Sequence, residues 1–261
     1  GRSTPGDPLR GLRQIALTTN GVLLTPNRAR LLRAAGLDRI TISLDAVDGS
    51  VAARMAGLHG GQAAGERLVR QVIDGVMSAK LAGFVAEQGE IKLNAVIKKG
   101  ENDTQLLPLA ALARRYGLEL RLIEYMDVGN RNGWVADQVL PAAEMVRLIQ
   151  ARWPLQPLGR DSGATANRWR FTDDRGGLGV IASISEPFCG DCNRLRITAD
   201  GQAFTCLFAS EGADLKPVLD NTAALQQRIA GLWLHRSDRY SEERHHHLPR
   251  SSHAEMAYLG G

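Results

Sequence analysis

For its first 126 residues the chain alternates short apolar runs with amphipathic stretches, and that alternation restricts it to few folds. RQIALTT (13–19) predicts a buried strand, ended by Asn20-Gly21. TPNRARLLRAAG (25–36) predicts a helix: Thr25 can cap it, Pro26 suits its first turn and Gly36 its stop. RITISLD (39–45) predicts a second strand, with Ile40, Ile42 and Leu44 on one face. In GERLVRQVIDGVMSAKLAG (65–83), Leu68, Val72, Val76 and Ala79 recur at helical spacing. EIKLNAVI (90–97) predicts a third strand. TQLLPLAALARRYG (104–117) predicts a third helix with Pro108 in its first turn, and LELRLIEYM (118–126) a fourth strand. This order is the signature of parallel βαβ units. Right-handed crossovers then give either a doubly wound sheet or a barrel. In both, ligands bind at the carboxyl ends of the strands. The reading puts Thr18, Thr19, Asn20, Ser43, Asp45, Lys92, Asn94, Glu124 and Met126 at those ends.

The pattern changes after residue 127, so two regions are expected, 1–127 and 128–261. PAAEMVRLIQARW (141–153) predicts a helix, and WRFTD and LGVIASI are strand-like pieces in a Gly-rich polar stretch. A helical stretch follows near 215–235, then a polar tail with His245, His246 and His247, read as a solvated loop. With 44% hydrophobic and 23% charged residues the chain can bury an ordinary core. A net charge of +4 is too small to argue for nucleic acid, and 5% aromatic content argues against a base-stacking surface. No run of about 18 apolar residues suggests a membrane span. GRSTPGDPLRG, at the start, has no apolar signal core, so the reducing cytoplasm is expected. In that compartment clustered cysteines read as ligands or redox groups more readily than as disulfides.

All three cysteines fall in FCGDCNRLRITADGQAFTCLF (188–208). Cys189 and Cys192 form a C-x-x-C, and Cys206 follows beyond a predicted hairpin. A structural zinc site needs a fourth ligand, and Asp191, Asn193 and the remote His235 are poor candidates. A redox C-x-x-C leaves Cys206 unused. An iron–sulfur cluster suits thiolate ligands, and three ligands on four irons leave one iron open for binding. Arg194 and Arg196 alternate, so on a strand both point the same way. They form either a solvated face or, beside a metal, an anion clamp.

The spacing Cys-x2-Cys-Asn-Arg-Leu-Arg followed by a third Cys resembles the C-terminal cluster motif of the GTP 3',8-cyclase family of radical S-adenosylmethionine enzymes. ALTTNG, ITISLD, IKLNAV, LRLIEYM and the terminal YLGG resemble family segments in family order, so the likeness covers essentially the whole chain. It implies an incomplete, partial TIM-type β/α barrel with a C-terminal extension carrying an iron–sulfur site. The implied reaction makes 3',8-cyclo-7,8-dihydro-GTP from GTP, the first step of molybdopterin synthesis. An adenosyl radical removes the ribose H-3', and the sugar radical attacks guanine C8. The resemblance gives Cys189, Cys192 and Cys206 a 4Fe–4S cluster whose open iron contacts guanine. It gives Arg2, Thr18, Lys92, Arg194 and Arg196 to GTP, and Gly6, Ser43 and Met126 to S-adenosylmethionine. No single catalytic side chain is implied. A homodimer and a downstream cyclic pyranopterin synthase enzyme are the protein partners it suggests, and Gly260-Gly261 looks like a tail that enters the active site.

The chain as written departs from the family at its start. It has no C-x3-C-x2-C, the motif for a second 4Fe–4S cluster that reduces S-adenosylmethionine, and so lacks the family's first βα unit. Pro5 stands for a family Gly and Asp7 for a Glu. Leu9-Arg10 then runs almost directly into RQIALTT, so residues 1–10 are not expected to form the family's strand. By the family mechanism this chain alone would not turn over, whether it is part of a longer enzyme or a degenerate product. The alternatives are a non-catalytic nucleotide- or partner-binding module with a structural metal at the three cysteines, and a poorly folded truncated product.

Overall fold

A computed structural model describes residues 11–130, 133–244 and 254–259. Arg2, Gly6, His245–His247 and Gly260-Gly261 lie outside the described residues. β1 (Ala16–Thr19), β2 (Arg39–Ser43), β3 (Ile91–Ile97) and β4 (Glu119–Glu124) form in the order the sequence predicts. Between them stand α1 (Pro26–Ala34), α2 (Gly49–Met55), α3 (Gly61–Leu81) and α4 (Leu106–Arg115). Thr25 caps α1 through its hydroxyl, which accepts from the Arg28 N–H, and Pro26 is its first residue. Gly36 ends the helix with φ of 94°. α2 is not foreseen. At seven residues it is too short for an apolar period, and its start is set by Asp48, whose carboxylate accepts from the Ser50 and Val51 N–H groups.

After β4 come α5 (Ala142–Gln150), β5 (Leu155–Gly159), β6 (Asn167–Phe171) and β7 (Gly177–Ile181). The seven-stranded sheet runs β1-β2-β3-β4-β7-β6-β5. β1, β2, β3, β4 and β7 are parallel, while β6 and β5 add antiparallel. Each crossover steps one strand in the same direction. A doubly wound sheet would reverse that order, and this one does not.

Strand alternation divides the sheet into two chemistries. Ile40, Ile42, Ile91, Leu93, Leu120, Leu122, Leu178 and Val180 are buried on one face against Ala29, Val72, Val76, Leu109, Ala113 and Met145 of the helices. Burying each large aliphatic side chain contributes about 1.5–3 kcal/mol, so this face holds the fold together. The residues between them, Thr41, Lys92, Asn94, Glu119 and Arg121, share the other face and leave it polar. α3 also packs close against α2. A Cβ at Gly65 would stand 1.7 Å from the Gly49 carbonyl oxygen.

The remaining chain forms a small sheet, β10-β9-β8, from β8 (Arg196–Ile197), β9 (Gln202–Phe204) and β10 (Ala213–Asp214). α6 (Thr222–Leu234) and α7 (Tyr240–Glu243) follow. β8 and β9 are the hairpin expected between Cys192 and Cys206. Arg194 precedes β8, so only Arg196 of the arginine pair lies in a strand.

Candidate functional site

One cavity of about 380 Å³ gathers residues from both ends of the sequence. Thr18, Asn94 and Ile123 reach it from the polar sheet face, and Met126 from just beyond β4. Cys189, Cys192, Arg194, Arg196 and Cys206 close the opposite wall. The expectation that Thr18, Met126, the arginines and the cysteines meet is therefore met. Ser43 is exposed at the end of β2 and outside the lining, although its neighbour across the ladder is Asn94. Lys92 is a correction. It is the second residue of β3, not a residue of that strand's carboxyl end, and it lines a different cavity. Alternation reveals which face a residue shares and says nothing about its height along the strand.

The C-x-x-C turn is held from two sides. The Asp191 carboxylate accepts from Arg160 (3.1 Å), the Ser162 hydroxyl (3.1 Å) and the Gly163 N–H (2.8 Å). Those bonds hold its pKa below the usual range, the Gly163 N–H contributing most against the cost of burial. Asp191 is thus committed to the 160–163 loop and not free to be a fourth ligand. On the other side Gly190 N–H donates to Glu242 of α7 at 3.1 Å.

The three cysteines are free thiols, each half-buried. The Arg194 guanidinium donates to Cys192 Sγ at 2.9 Å. Burial pushes the Cys192 thiol up, but hydrogen bonds from Arg194 and the charges of Arg194 and Arg236 outweigh it and leave the pKa lowered. Burial raises the Cys206 thiol. Arg196 has its pKa lowered by burial and then by Arg194. Phe188 lies beneath both Arg160 and Arg194 at 5.5 and 5.1 Å. Among the described residues no group of three His, Cys, Asp or Glu closes tightly enough for a single metal ion. Asn94 Oδ1, Ser183 Oγ and Arg194 Nε are buried without hydrogen-bond partners, and all three belong to residues that line the cavity. Such groups are costly to leave unpaired, so the cavity is built to receive a polar ligand.

Arg236, Ser183 and Thr165 also line the cavity and were not foreseen. Arg236 donates to the Cys192 carbonyl. Nothing in HRSDRY marks it, because it arrives through α6 from 44 positions away. Asp127 fastens α7 beside the cavity. It accepts from Tyr240 Oη at 2.7 Å and from Arg244 Nη2 at 2.9 Å, with both charged side chains at most 15% exposed. Asp127→Ala should destabilise the protein by about 3 kcal/mol, because it strands a buried guanidinium. Urea unfolding measures that loss, and limited proteolysis should show cleavage near 240–244 first.

The site joins a βαβ sheet to a cysteine-bearing C-terminal unit, and family models match in the same order. Residues 7–113 match the Radical SAM superfamily and 118–242 Molybdenum Cofactor Synthesis C. A GTP 3',8-cyclase of Synechococcus sp. (strain WH7803) is 66% identical over 261 residues, 100% of this chain and 75% of that protein. One of Synechococcus sp. (strain CC9605) is 67% identical over 260 residues, again 100% and 75%. One of Xanthomonas axonopodis pv. citri (strain 306) is 44% identical over 255 residues, covering 97% and 73%. The chain belongs to the GTP 3',8-cyclase family, radical S-adenosylmethionine enzymes of molybdenum cofactor biosynthesis. Among the described residues no helix is long and apolar enough to cross a membrane.

Proposed function

We propose that this chain supplies the GTP-binding and guanine-orienting part of a GTP 3',8-cyclase. In this reading residues 1–127 are an open β/α barrel and 128–261 the cluster-bearing C-terminal region. Cys189, Cys192 and Cys206 hold a 4Fe–4S cluster. When bound, the cluster supplies an iron with one open position for the guanine. Arg194 and Arg196 pair with negative charge on GTP, Thr18 contacts the nucleotide and Lys92 meets the triphosphate. Ser43 and Met126 face S-adenosylmethionine, and Asn94 and Ser183 supply acceptors in the same cavity. The residues' work is positioning and exclusion of water, since the family reaction closes a C3'–C8 bond within one bound molecule.

The observation that carries the reading is the meeting of three thiols, two arginines, Thr18 and Met126 around one cavity. The donor set fits the group. All three are sulfur ligands, and one already accepts an N–H···S bond. A set of three thiolates without a free fourth protein ligand suits an iron–sulfur cluster better than one structural zinc ion. Anaerobic reconstitution followed by iron and sulfide quantitation tests it. About four irons and four sulfides per chain are expected, and Cys189→Ala should lose them. One tightly held zinc and no sulfide would replace this reading with a structural metal module.

A further inference from the structure

The second cavity, about 610 Å³, opens at the amino ends of the strands. Arg39, Lys92, Glu119 and Arg168 line it. Glu119 is the acid that bonds to Lys92 and Arg121, while Arg168 also pairs with Asp161 at 3.6 Å. Its Oε1 accepts from Lys92 Nζ and from Arg121 Nε, both at 2.8 Å, and its Oε2 faces Arg168 Nε at 3.7 Å. Lys92 and Glu119 keep 8% and 9% of their side chains exposed. Arg39 Nε is buried without a partner. Four cations, Arg39, Lys92, Arg121 and Arg168, therefore stand against two carboxylates, Glu119 and the exposed Asp161, and the excess asks for an anion.

We infer that Glu119 is a positioning residue for the anion-binding end of this site. Its carboxylate aims Lys92 and Arg121 together and keeps the Lys92 ammonium charged for a polyphosphate chain. This rests on the GTP reading above.

The charges that face Lys92 are Arg39 from β2, Glu119 and Arg121 from β4, and Arg168 from β6, with Glu87, Arg170 and Asp174 at the rim. Burial first, and Arg121 and Arg39 after it, drive the Lys92 pKa down to about 8, while Glu119 opposes them. Glu119 itself is raised by burial but lowered further by Lys92 and Arg121, so it is ionised whenever the site binds. The sign follows directly. The ammonium is present below its pKa and lost above it, so an anion binds well at neutral pH and poorly as pH rises past about 8. Removing the carboxylate charge moves that loss to lower pH.

The test is calorimetric titration of this chain with inorganic tripolyphosphate, and with GTP, between acid-neutral and alkaline pH. Glu119→Gln should shift the alkaline loss of affinity down by about one pH unit, and so weaken binding about fivefold at the wild-type midpoint and about tenfold well above it. Lys92→Arg in the Glu119→Gln background should restore affinity there, because a guanidinium does not titrate in this range. If Glu119→Gln fails to fold, Lys92→Arg alone should abolish the alkaline loss relative to wild type. An unshifted profile in Glu119→Gln, or tighter binding at every pH, overturns the inference and leaves the GTP reading standing. Wild-type protein that binds neither ligand, or Lys92→Met that binds both as well as wild type, removes the GTP role of Lys92 and this inference with it.

Discussion

Glu124→Ala is expected to cost about 4 kcal/mol, a large share of an ordinary domain's stability. Glu124 is the last residue of β4 and is fully buried. Its Oε1 accepts from the Ala142 N–H at 2.7 Å, at the start of α5, and from the Ser185 hydroxyl. Its Oε2 accepts from the Ile184 and Ser185 N–H groups at 2.7 and 2.9 Å. One carboxylate thus ties β4 to a helix start and to the turn after β7. Alanine would leave three backbone donors unpaired, each costing about 1–3 kcal/mol when buried. Glu124→Gln should be milder, since it keeps one oxygen, but its amide NH2 must then face donors. Urea midpoints for the three proteins check the order wild type, Gln, Ala. An alanine variant within about 1 kcal/mol of wild type would mean the turn at 184–185 finds other partners. That turn stands between Ser183 and Phe188, both in the cavity lining. Loss of the carboxylate should therefore loosen ligand binding as well as stability.

Gly65→Ala should be nearly as damaging, against the usual preference of helices for alanine. Placed in α3 without adjustment, the new methyl would stand 1.7 Å from the Gly49 carbonyl oxygen and 2.8 Å from the Ala53 nitrogen. Both neighbours are backbone, so the two helices must separate. A loss of about 3 kcal/mol is expected, at the upper end of overpacking. Gly231→Ala in α6 is the control. A Cβ there meets nothing within 4 Å, so it should stabilise by about 0.5–1 kcal/mol. Thermal melts of the pair should move in opposite directions. If both rise, the α2–α3 contact is looser than this packing requires.

Much of the parallel sheet was legible because each strand repeats the same alternation. Ile40, Ile42 and Leu44 were assigned to one face and are all buried in the core. Thr25, Pro26 and Gly36 bounded α1 through chemistry local to the helix. Thr18 and Met126 could be placed together because a βαβ sheet gathers its strand ends, whereas only the family resemblance joined the cysteine segment to them. What escaped depends on contacts distant in sequence. Asp127 meets Arg244 across 117 positions, and Arg236 reaches Cys192 across 44. Neither pairing leaves a local pattern. Lys92 was placed at the wrong end of its strand, because period-two alternation carries no information about height. Asp45 was weighed for a ligand and serves instead to accept the Val96 N–H at 2.8 Å, a bond across two strands.

The interleaving of the two sheet faces also guards the register of the sheet. Lys92 and Leu93, Glu119 and Leu120, and Arg121 and Leu122 are neighbours in the chain with opposite destinations. If any parallel strand paired one residue out of step, its aliphatic side chains would face the polar cavities and its ions would face the helices. Such a slip carries a penalty on both faces at once, so a single register is strongly favoured.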